Sequence, residues 1–457
     1  MTKTIPHKQM FLMTGDVLLI AVSLYLAPIL RFGILIDPGT VFSRYDVLAV
    51  ATYLLVLYIF DFYNTEERSS RTGFLLRFAL AVAVANVANI SVFYLFQLPP
   101  YGAGIVAISG SLAFVLLVAW RFVFLRVIAA ARPLRLLILG AGRTGKSLQD
   151  YLRTRSDYEV VGFVDDDRGK REAVEDSSPP IWSGMENLCA LIRQHGIDKV
   201  IVAITGQIRP EVFRNLVKAK FDCGVVVNQV PTFYEQVAGK IPVLHTTDMW
   251  LGFTDITGVE RNVYNTKLKK VFDKAISVTG LILAAPVMIL TAVLIKLESR
   301  GPVLYRQERV GWDEHIFELV KFRSMRTDAE VHGAVWAAED DPRVTRVGRI
   351  IRRLRIDELP QMWNVLKGEM SFVGPRPERM AFVKDLKKEI PYYSLRHSVR
   401  PGITGWAQVN YPYGASKEDA LEKLQYDLYY IKNTSILLDI QIIIRTIRVA
   451  LFRKGAR

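Results

Sequence analysis

The sequence predicts a membrane α-helical N-terminal bundle, an α/β middle domain and an α/β monotopic C-terminal domain with a re-entrant broken helix and amphipathic helices. Three observations carry this prediction. Apolar blocks fill residues 10–30, 46–63, 76–97 and 103–127, each about long enough to cross a bilayer. Residues 134–250 alternate short apolar strands with helical stretches. The polar, basic last third follows a fifth apolar block, 275–297, which has Pro286 near its centre. The expected parts are therefore 1–131, 132–250, a linker at 251–266, and 267–457.

Hydrophobic residues make up 51% of the 457 positions and lie in discrete blocks, as in a membrane protein. A net charge of +14 suits anionic lipid headgroups or phosphate-bearing substrates. No recognised binding motif accompanies that charge, which argues against nucleic acid as a partner. The two cysteines, Cys189 and Cys223, have no metal-like spacing and are expected to remain separate reduced thiols. No cleavable signal peptide is expected, because the first apolar block lacks a small-residue cleavage site.

Basic residues sort by loop. Lys3, Lys8, Arg68, Arg71, Arg77, Arg126, Arg132 and Arg135 fall on one side of the four spans, and Arg31 and Arg44 on the other. The positive-inside rule then predicts a cytoplasmic N-terminus and a cytoplasmic chain after residue 130. Asp16 lies inside the first block, near its cytoplasmic end, where snorkelling or helix packing is expected of it.

In the middle domain, Leu134–Leu139 reads as a strand, followed by Gly140-Ala-Gly-Arg-Thr-Gly145 and a helix. A second strand, Tyr158–Val164, ends in Asp165-Asp-Asp167. A glycine motif between strand and helix, with an acid after the next strand, is the Rossmann-like context for a dinucleotide. It makes Gly140, Gly142, Gly145 and Asp165 candidate nucleotide-binding residues. A purely structural or regulatory role for the same glycines stays open. The fifth block is flanked by Lys267, Lys269, Lys270 and Lys274 before it and by Lys296 and Arg300 after it. Positive charge at both ends predicts that both face the cytoplasm, as in a hairpin broken at Pro286. The terminal segment Ser435–Lys454 reads as a basic amphipathic helix, either on the membrane surface or packed in a core.

The densest chemistry lies in Arg352–Glu378. Asp357 and Glu358 adjoin Arg349, Arg352, Arg353 and Arg355. Pro360 belongs in a first helical turn and Gly368 at a C-terminal stop, so a helix is expected from Asp357 to Gly368. Its N-terminus would hold the carboxylates ionised, suiting them to attack a phosphate or to hold a metal that bridges to one. Lys321 and Arg323 alternate on a strand, and Arg376 and Arg400 sit on stiff Pro- and Gly-containing loops with Trp406 as a stacking surface. Cations fixed beside carboxylates are what a diphosphate substrate requires.

These segments resemble the bacterial sugar transferases, the monotopic polyprenol-phosphate phosphoglycosyl transferases. The resemblance rests on Tyr305–Gly311, Lys321–Met325, Asp357–Gln361, Asn364–Gly368, Met370–Pro377, Arg400–Asn410 and Tyr426–Asn433. The four spans and middle domain resemble the long members involved in exopolysaccharide or O-antigen initiation, and Tyr411–Ser416 resembles an exopolysaccharide subgroup. One departure is Ala285-Pro286, where relatives often have Ser-Pro.

The resemblance implies an enzyme of the bacterial inner membrane, multi-pass, with its catalytic domain in the cytoplasm. It would transfer a sugar-1-phosphate from a UDP-sugar to undecaprenyl phosphate through a covalent phosphosugar-aspartyl intermediate, releasing UMP. Asp357 would be the nucleophile and a Mg²⁺ ligand, and Glu358 would deprotonate the acceptor. Arg352, Arg376 and Arg400 would clamp phosphates, Thr404, Gly405, Trp406 and Gln408 would border the nucleotide, and Lys321, Arg323 and Asp427 would assist. Inner-membrane lipids are expected partners, and homo-oligomerisation stays open. Two other classes also stay open. One is a membrane-bound NAD-dependent nucleotide-sugar epimerase or dehydratase, for which Tyr413 and Lys417 have the spacing although no Gly-x-x-Gly-x-x-Gly precedes them. The other is a non-enzymatic nucleotide-sensing membrane scaffold.

Overall fold

In the computed structural model, the residues described are 7–33, 44–60, 62–63, 71–95, 103–129, 132–155, 157–167, 179–204, 206, 209–259, 264–327, 329, 341–412, 414 and 416–452. Lys3, Arg68, Tyr413, Ala415, Arg453 and Lys454, on which some of the expectations rest, lie outside them. The chain divides into two compact units, Met1–Arg132 and Pro133–Arg457.

Among the described residues, the first unit holds four apolar helices: α1 (His7–Phe32), α2 (Arg44–Ile59), α3 (Arg71–Leu95) and α4 (Ala103–Ala129). Their core includes Leu12, Ile20, Tyr53, Leu57, Phe78 and Leu117. The apolar blocks predict four spans here. Among the described residues, only Gln9–Phe32 and Gly104–Phe124 in this unit are long and apolar enough to cross a membrane. Helix α2 has 16 residues, about 24 Å against a hydrocarbon core of about 30 Å. Helix α3 has 25 residues, and among its described residues the apolar stretch is Arg77–Ser91. Asp16 does not snorkel: it is fully buried, and the Arg121 guanidinium grips both its oxygens at 2.5 and 2.8 Å. Rings of Tyr63 and Phe78 flank that guanidinium at 5.6 and 5.7 Å.

The second unit opens with β1 (Leu134–Leu139), α5 (Arg143–Arg153), β2 (Tyr158–Val164), β3 (Ile181–Trp182), α6 (Leu188–His195), β4 (Lys199–Val202), α7 (Pro210–Asp222), β5 (Val226–Gln229) and α8 (Val230–Ala238). The five strands form one sheet in the order β3-β2-β1-β4-β5, with every pair parallel. A parallel sheet covered by helices buries both faces, so β1 reads as unbroken Leu and Ile after its first two residues. Cys189 and Cys223 correct an expectation, since they are joined as a disulfide. Leu188 and Ile192 of α6 and Val212 and Leu216 of α7 share one hydrophobic cluster. That packing brings the two cysteines to a Cα–Cα distance of 6.1 Å, across 34 residues of sequence.

Then come α9 (Asp248–Gly252), α10 (Lys269–Glu298), β6 (Leu304–Val310), β7 (Ile316–Phe322), α11 (Arg346–Arg353), the 3-10 turn Ile356–Gln361, α12 (Met362–Lys367) and β8 (Ser371–Val373). The chain continues with α13 (Met380–Glu389), β9 (Gly402–Thr404), α14 (Trp406–Asn410), α15 (Lys417–Asn433) and α16 (Ile436–Phe452). Strands β6 and β7 form an antiparallel hairpin, and β8 pairs in parallel with β9. Helix α10 is the third candidate span, and Pro286, where the sequence predicts a break, lies inside it. Helix α16 buries Leu438, Asp439 and Ile442 and exposes Leu437, Ile440 and Ile447. It is thus packed on one face and open and apolar on another.

The expected linker 251–266 does not separate two bodies. Thr257 and Gly258 donate backbone hydrogen bonds to Lys432 and Ile431 at the end of α15. Lys432 and Asn433 bind the buried Glu235 of α8 at 2.6 and 2.9 Å, and Trp406 Nε1 donates to the Gly239 carbonyl at 2.7 Å. The segment that follows α8 packs into the core of the C-terminal fold through Ile241 and Val243.

In the first unit, Arg121→Ala strands the buried Asp16 carboxylate and should destabilise the bundle by about 3–5 kcal/mol. The double replacement of Asp16 by Leu and Arg121 by Met should recover most of that loss, read as thermal unfolding in detergent.

Candidate functional site

The site is built on β7 and on the turn that packs against it. Asn364, fully buried at the start of α12, ties the two together. Its Oδ1 accepts from the Val320 N–H (3.1 Å), and its Nδ2 donates to the Glu318 carbonyl (2.7 Å). Satisfying both edge groups of a strand with one amide fixes the turn against the strand. The predicted helix over 357–368 is present in two parts. Its first turn is a 3-10 segment containing Pro360, and its end is Gly368 at φ +84°. The chain enters through Arg355, a non-glycine residue at φ +58°. That left-handed residue separates α11 from the turn and sets the direction in which Asp357 and Glu358 emerge.

The two carboxylates have unlike surroundings. Arg376 Nη2 donates to Glu358 Oε1 at 2.6 Å, and Arg355 Nη1 lies 3.6 Å from the same oxygen. Burial opposes the charge on Glu358, but Arg376 and Arg355 outweigh it and hold the carboxyl below its ordinary range. Asp357 is 8% exposed, and its buried Oδ1 has no hydrogen-bond partner. Burial and then the adjacent Glu358 charge raise its pKa, against the opposing pull of Lys321, Arg352 and Arg376. The arginines hold Glu358 below its ordinary range, while desolvation dominates at Asp357 and lifts it above its own. Lys321, over the Tyr305 ring at 5.2 Å, is pulled down to about 8 by burial and then by Arg309.

The Pro- and Gly-rich loops meet as backbone against backbone. A Cβ at Gly402 would lie 2.1 Å from the Gly374 nitrogen, and one at Gly405 would lie 2.2 Å from the Gly374 oxygen. Only glycine permits such an approach. Arg309 donates to the Pro377 carbonyl at 3.1 Å. Arg396 donates to the Arg376 carbonyl at 3.0 Å and lies 2.9 Å from Asp427. Arg376 is thus aimed by its neighbours, and Asp427, which is 1% exposed, supports that aim from within the core instead of facing a substrate.

Other expected site residues lie elsewhere. Arg323 follows the end of β7 and is spent on Ser299 and Arg300, closing the loop after α10. Trp406 is no open stacking surface: it is 7% exposed, stacked on Tyr429 and overlaid by Arg445. Arg400 stacks on Trp312 at 5.4 Å. Thr404 and Gln408 do reach the site, lining a cleft with Glu358, Arg353 and Arg355. Lys417, the expected partner of Tyr413 in the epimerase reading, ion-pairs with Glu389 at 2.6 Å. Sequence reasoning places Arg355 in the arginine run before Asp357 but does not single out the supporting residues Asn364, Arg309 and Arg396. Asn364 and Arg309 lie within the family-like motifs, but their partners come from distant stretches.

In the middle domain Gly140 has φ +106°, and a Cβ at Gly145 would lie 2.1 Å from the Gly140 oxygen. Asp165 Oδ2 accepts from the Ala141 N–H at 2.9 Å, so this acid clasps the glycine turn itself rather than standing ready for a ribose. Around Gly142, at the start of α5, the space is open.

A magnesium site requires oxygen donors and tolerates a single protein carboxylate when substrate phosphates supply others. Among the described residues no group of three or more His, Cys, Asp or Glu converges. The unpartnered Asp357 Oδ1 still fits an ion held by one carboxylate and a diphosphate.

The signature of the bacterial sugar transferases matches residues 264–453, and that of a CoA-binding domain matches residues 58–222. The chain is 46% identical to the UDP-N-acetylgalactosamine-undecaprenyl-phosphate N-acetylgalactosaminephosphotransferase of Aeromonas hydrophila, over 51% of this chain and 54% of that one. It is 35% identical to the undecaprenyl-phosphate glucose phosphotransferase of Komagataeibacter xylinus, over 70% and 60%. Compared with the UDP-glucose:undecaprenyl-phosphate glucose-1-phosphate transferase of Klebsiella pneumoniae it is 33% identical, over 70% and 69%. The chain thus spans between half and two thirds of the first two relatives. With the Asp357–Glu358 turn, the glycine-locked loops and these matches together, the chain belongs to the bacterial sugar transferase family.

Proposed function

We propose that the protein transfers a sugar-1-phosphate from a UDP-sugar to undecaprenyl phosphate, releasing UMP, as the initiating step of a surface polysaccharide such as an exopolysaccharide. The names of its relatives support the substrate class. The observation that carries the mechanism is the contrast between Asp357, buried with a bare oxygen, and Glu358, engaged by Arg376. An Asp357 oxygen attacks the β-phosphorus of the UDP-sugar, the bond to the α-phosphate oxygen breaks, and UMP leaves. The phosphosugar is then an acyl phosphate on Asp357. An oxygen of undecaprenyl phosphate attacks the same phosphorus and releases the carboxylate.

A raised pKa suits Asp357 to this role, because a desolvated carboxylate is the stronger nucleophile once ionised. Glu358, held low, is a weak base until an incoming phosphate takes Arg376 from it. Its basicity then returns where the acceptor proton must go. Lys321, Arg352 and Arg376 offset the diphosphate charge. Mg²⁺, held in part by Asp357, would neutralise diphosphate oxygens. The glycine turn and the open approach at Gly142 support a separate nucleotide site in the Rossmann-like domain.

Membrane attachment follows from α10. As a straight rod its 30 residues would measure about 45 Å. Both its ends are nevertheless tied to the same fold. Asp273 accepts from the Phe372 N–H (3.0 Å), and Glu298 accepts from the N–H groups of Arg346 and Val347 (2.7 and 3.1 Å). Such tethering supports entry and exit on one face, cytoplasmic at the inner membrane, instead of a full crossing.

Purified protein given UDP-sugars, Mg²⁺ and undecaprenyl phosphate should release UMP, and chelating Mg²⁺ should stop it. Asp357→Asn should cut that rate by about three orders of magnitude or more. Since attack requires the ionised acid and its pKa is raised, the acid limb of the rate profile should lie above the ordinary carboxylate range. The same raised pKa makes ionisation unfavourable to folding, so the relative stability present at low pH is lost as pH rises through it. Asp357→Asn should therefore melt higher than wild type at pH 8 and no higher at pH 3. Glu358→Gln should keep a first burst of UMP and lose multiple turnover, as read by rapid quench.

A further inference from the structure

Helix α8 stops at Gly239, whose φ of +62° is a left-handed conformation that glycine adopts freely. The carbonyl of that stop accepts the Trp406 Nε1–H at 2.7 Å. A Cβ built at Gly239 would lie 3.3 Å from Trp406 Cζ2, so the missing side chain makes room for the ring. Trp406 is already covered without this bond, being stacked on Tyr429 and overlaid by Arg445. The hydrogen bond therefore adds direction rather than burial. It also joins the middle domain to the C-terminal fold, and α8 is itself anchored there, since Glu235, one turn earlier, binds Lys432 and Asn433.

What the indole fixes leads to the site. Gly405 precedes Trp406, and a Cβ there would lie 2.2 Å from the Gly374 oxygen. The Gly374 N–H donates to the Thr404 carbonyl at 2.9 Å, and the Gly402 N–H donates to the Pro375 carbonyl at 2.8 Å. Two residues beyond Gly374, Arg376 grips Glu358. Backbones packed this closely pass a displacement on instead of absorbing it. We propose that the middle domain positions the donor side of the site, with Trp406 as the positioning residue: the Gly239 carbonyl aims the indole, the indole sets the loop 402–408, and that loop holds Arg376 where it meets the diphosphate. This assignment rests on the function proposed above. It gives the middle domain a part in catalysis that needs no ligand of its own.

The test uses the full chain in lipid nanodiscs, with UMP release as the readout. Trp406→Phe keeps a ring against Tyr429 and removes the N–H. It should raise the UDP-sugar KM by about three- to tenfold and leave the undecaprenyl phosphate KM unchanged. Gly239→Ala disturbs the same contact from the middle domain, altering no residue of the C-terminal fold, and should give the same split. A phenylalanine ring leaves the new methyl group little to push, so the double variant should be no worse than the poorer single one. Gly196→Ala is the control. Gly196 ends α6 at φ +57°, and a Cβ there would meet only Arg135, at 3.6 Å. That variant should lower the melting temperature as Gly239→Ala does and change neither KM. A donor KM unmoved by Trp406→Phe and Gly239→Ala overturns the assignment, as do effects that multiply in the double variant. So does a donor KM raised equally by Gly196→Ala, which would reduce the contact to general stability. If the wild-type protein releases no UMP at all, the proposed function fails first and takes this assignment with it.

Discussion

The contact between Arg376 Nη2 and Glu358 Oε1, 2.6 Å long, makes two neighbouring acids chemically different. Two carboxylates adjacent in sequence and buried side by side repel each other, and neither would be ionised easily. A guanidinium given to one of them settles the order: Glu358 carries charge readily, and Asp357 keeps a bare, desolvated oxygen. Reactive groups are often prepared in this way, by withholding partners from one member of a pair. The rest of the C-terminal fold serves to hold Arg376 on the correct member.

That support is layered. The loop carrying Arg376 continues β8 and is pressed against β9, where Gly374, Gly402 and Gly405 let the backbones touch. Arg309 and Arg396 hold its carbonyls at Pro377 and Arg376, and Asp427 neutralises Arg396 in the core. On the other side, Asn364 locks the turn to β7. Near the membrane helix, Asp439 receives the Lys269 ammonium and the Tyr430 hydroxyl, which also donates to the Val373 carbonyl at 3.0 Å. The base of α10 and the strand leading to Arg376 are therefore fastened at one buried acid.

Much of this is legible in the amino-acid sequence alone. Local chemistry announces the Asp357–Glu358 turn through Pro360 and Gly368, the glycine turn of the middle domain, and the apolar blocks. What stays hidden depends on distant contacts. Arg323 and Arg376 look alike in a string of letters, yet one meets the loop at Ser299 and the other meets Glu358. Trp406 reads as a surface because its loop is rich in glycine, but the neighbouring α8–α9 segment reaches over and accepts its indole N–H at Gly239. The disulfide depends on two helices crossing the same face of a sheet, and Asp165 on a turn folding back to it.

The central claim is that the unpartnered oxygen of Asp357 bonds to phosphorus. It is tested most directly by giving the full chain a UDP-sugar without acceptor, quenching at once, and mapping the modified peptide by mass spectrometry. The account predicts a phosphosugar on Asp357, formed in step with UMP and discharged when undecaprenyl phosphate is added. A phosphosugar on another residue, or UMP that forms only when acceptor is present and with no adduct, would contradict it.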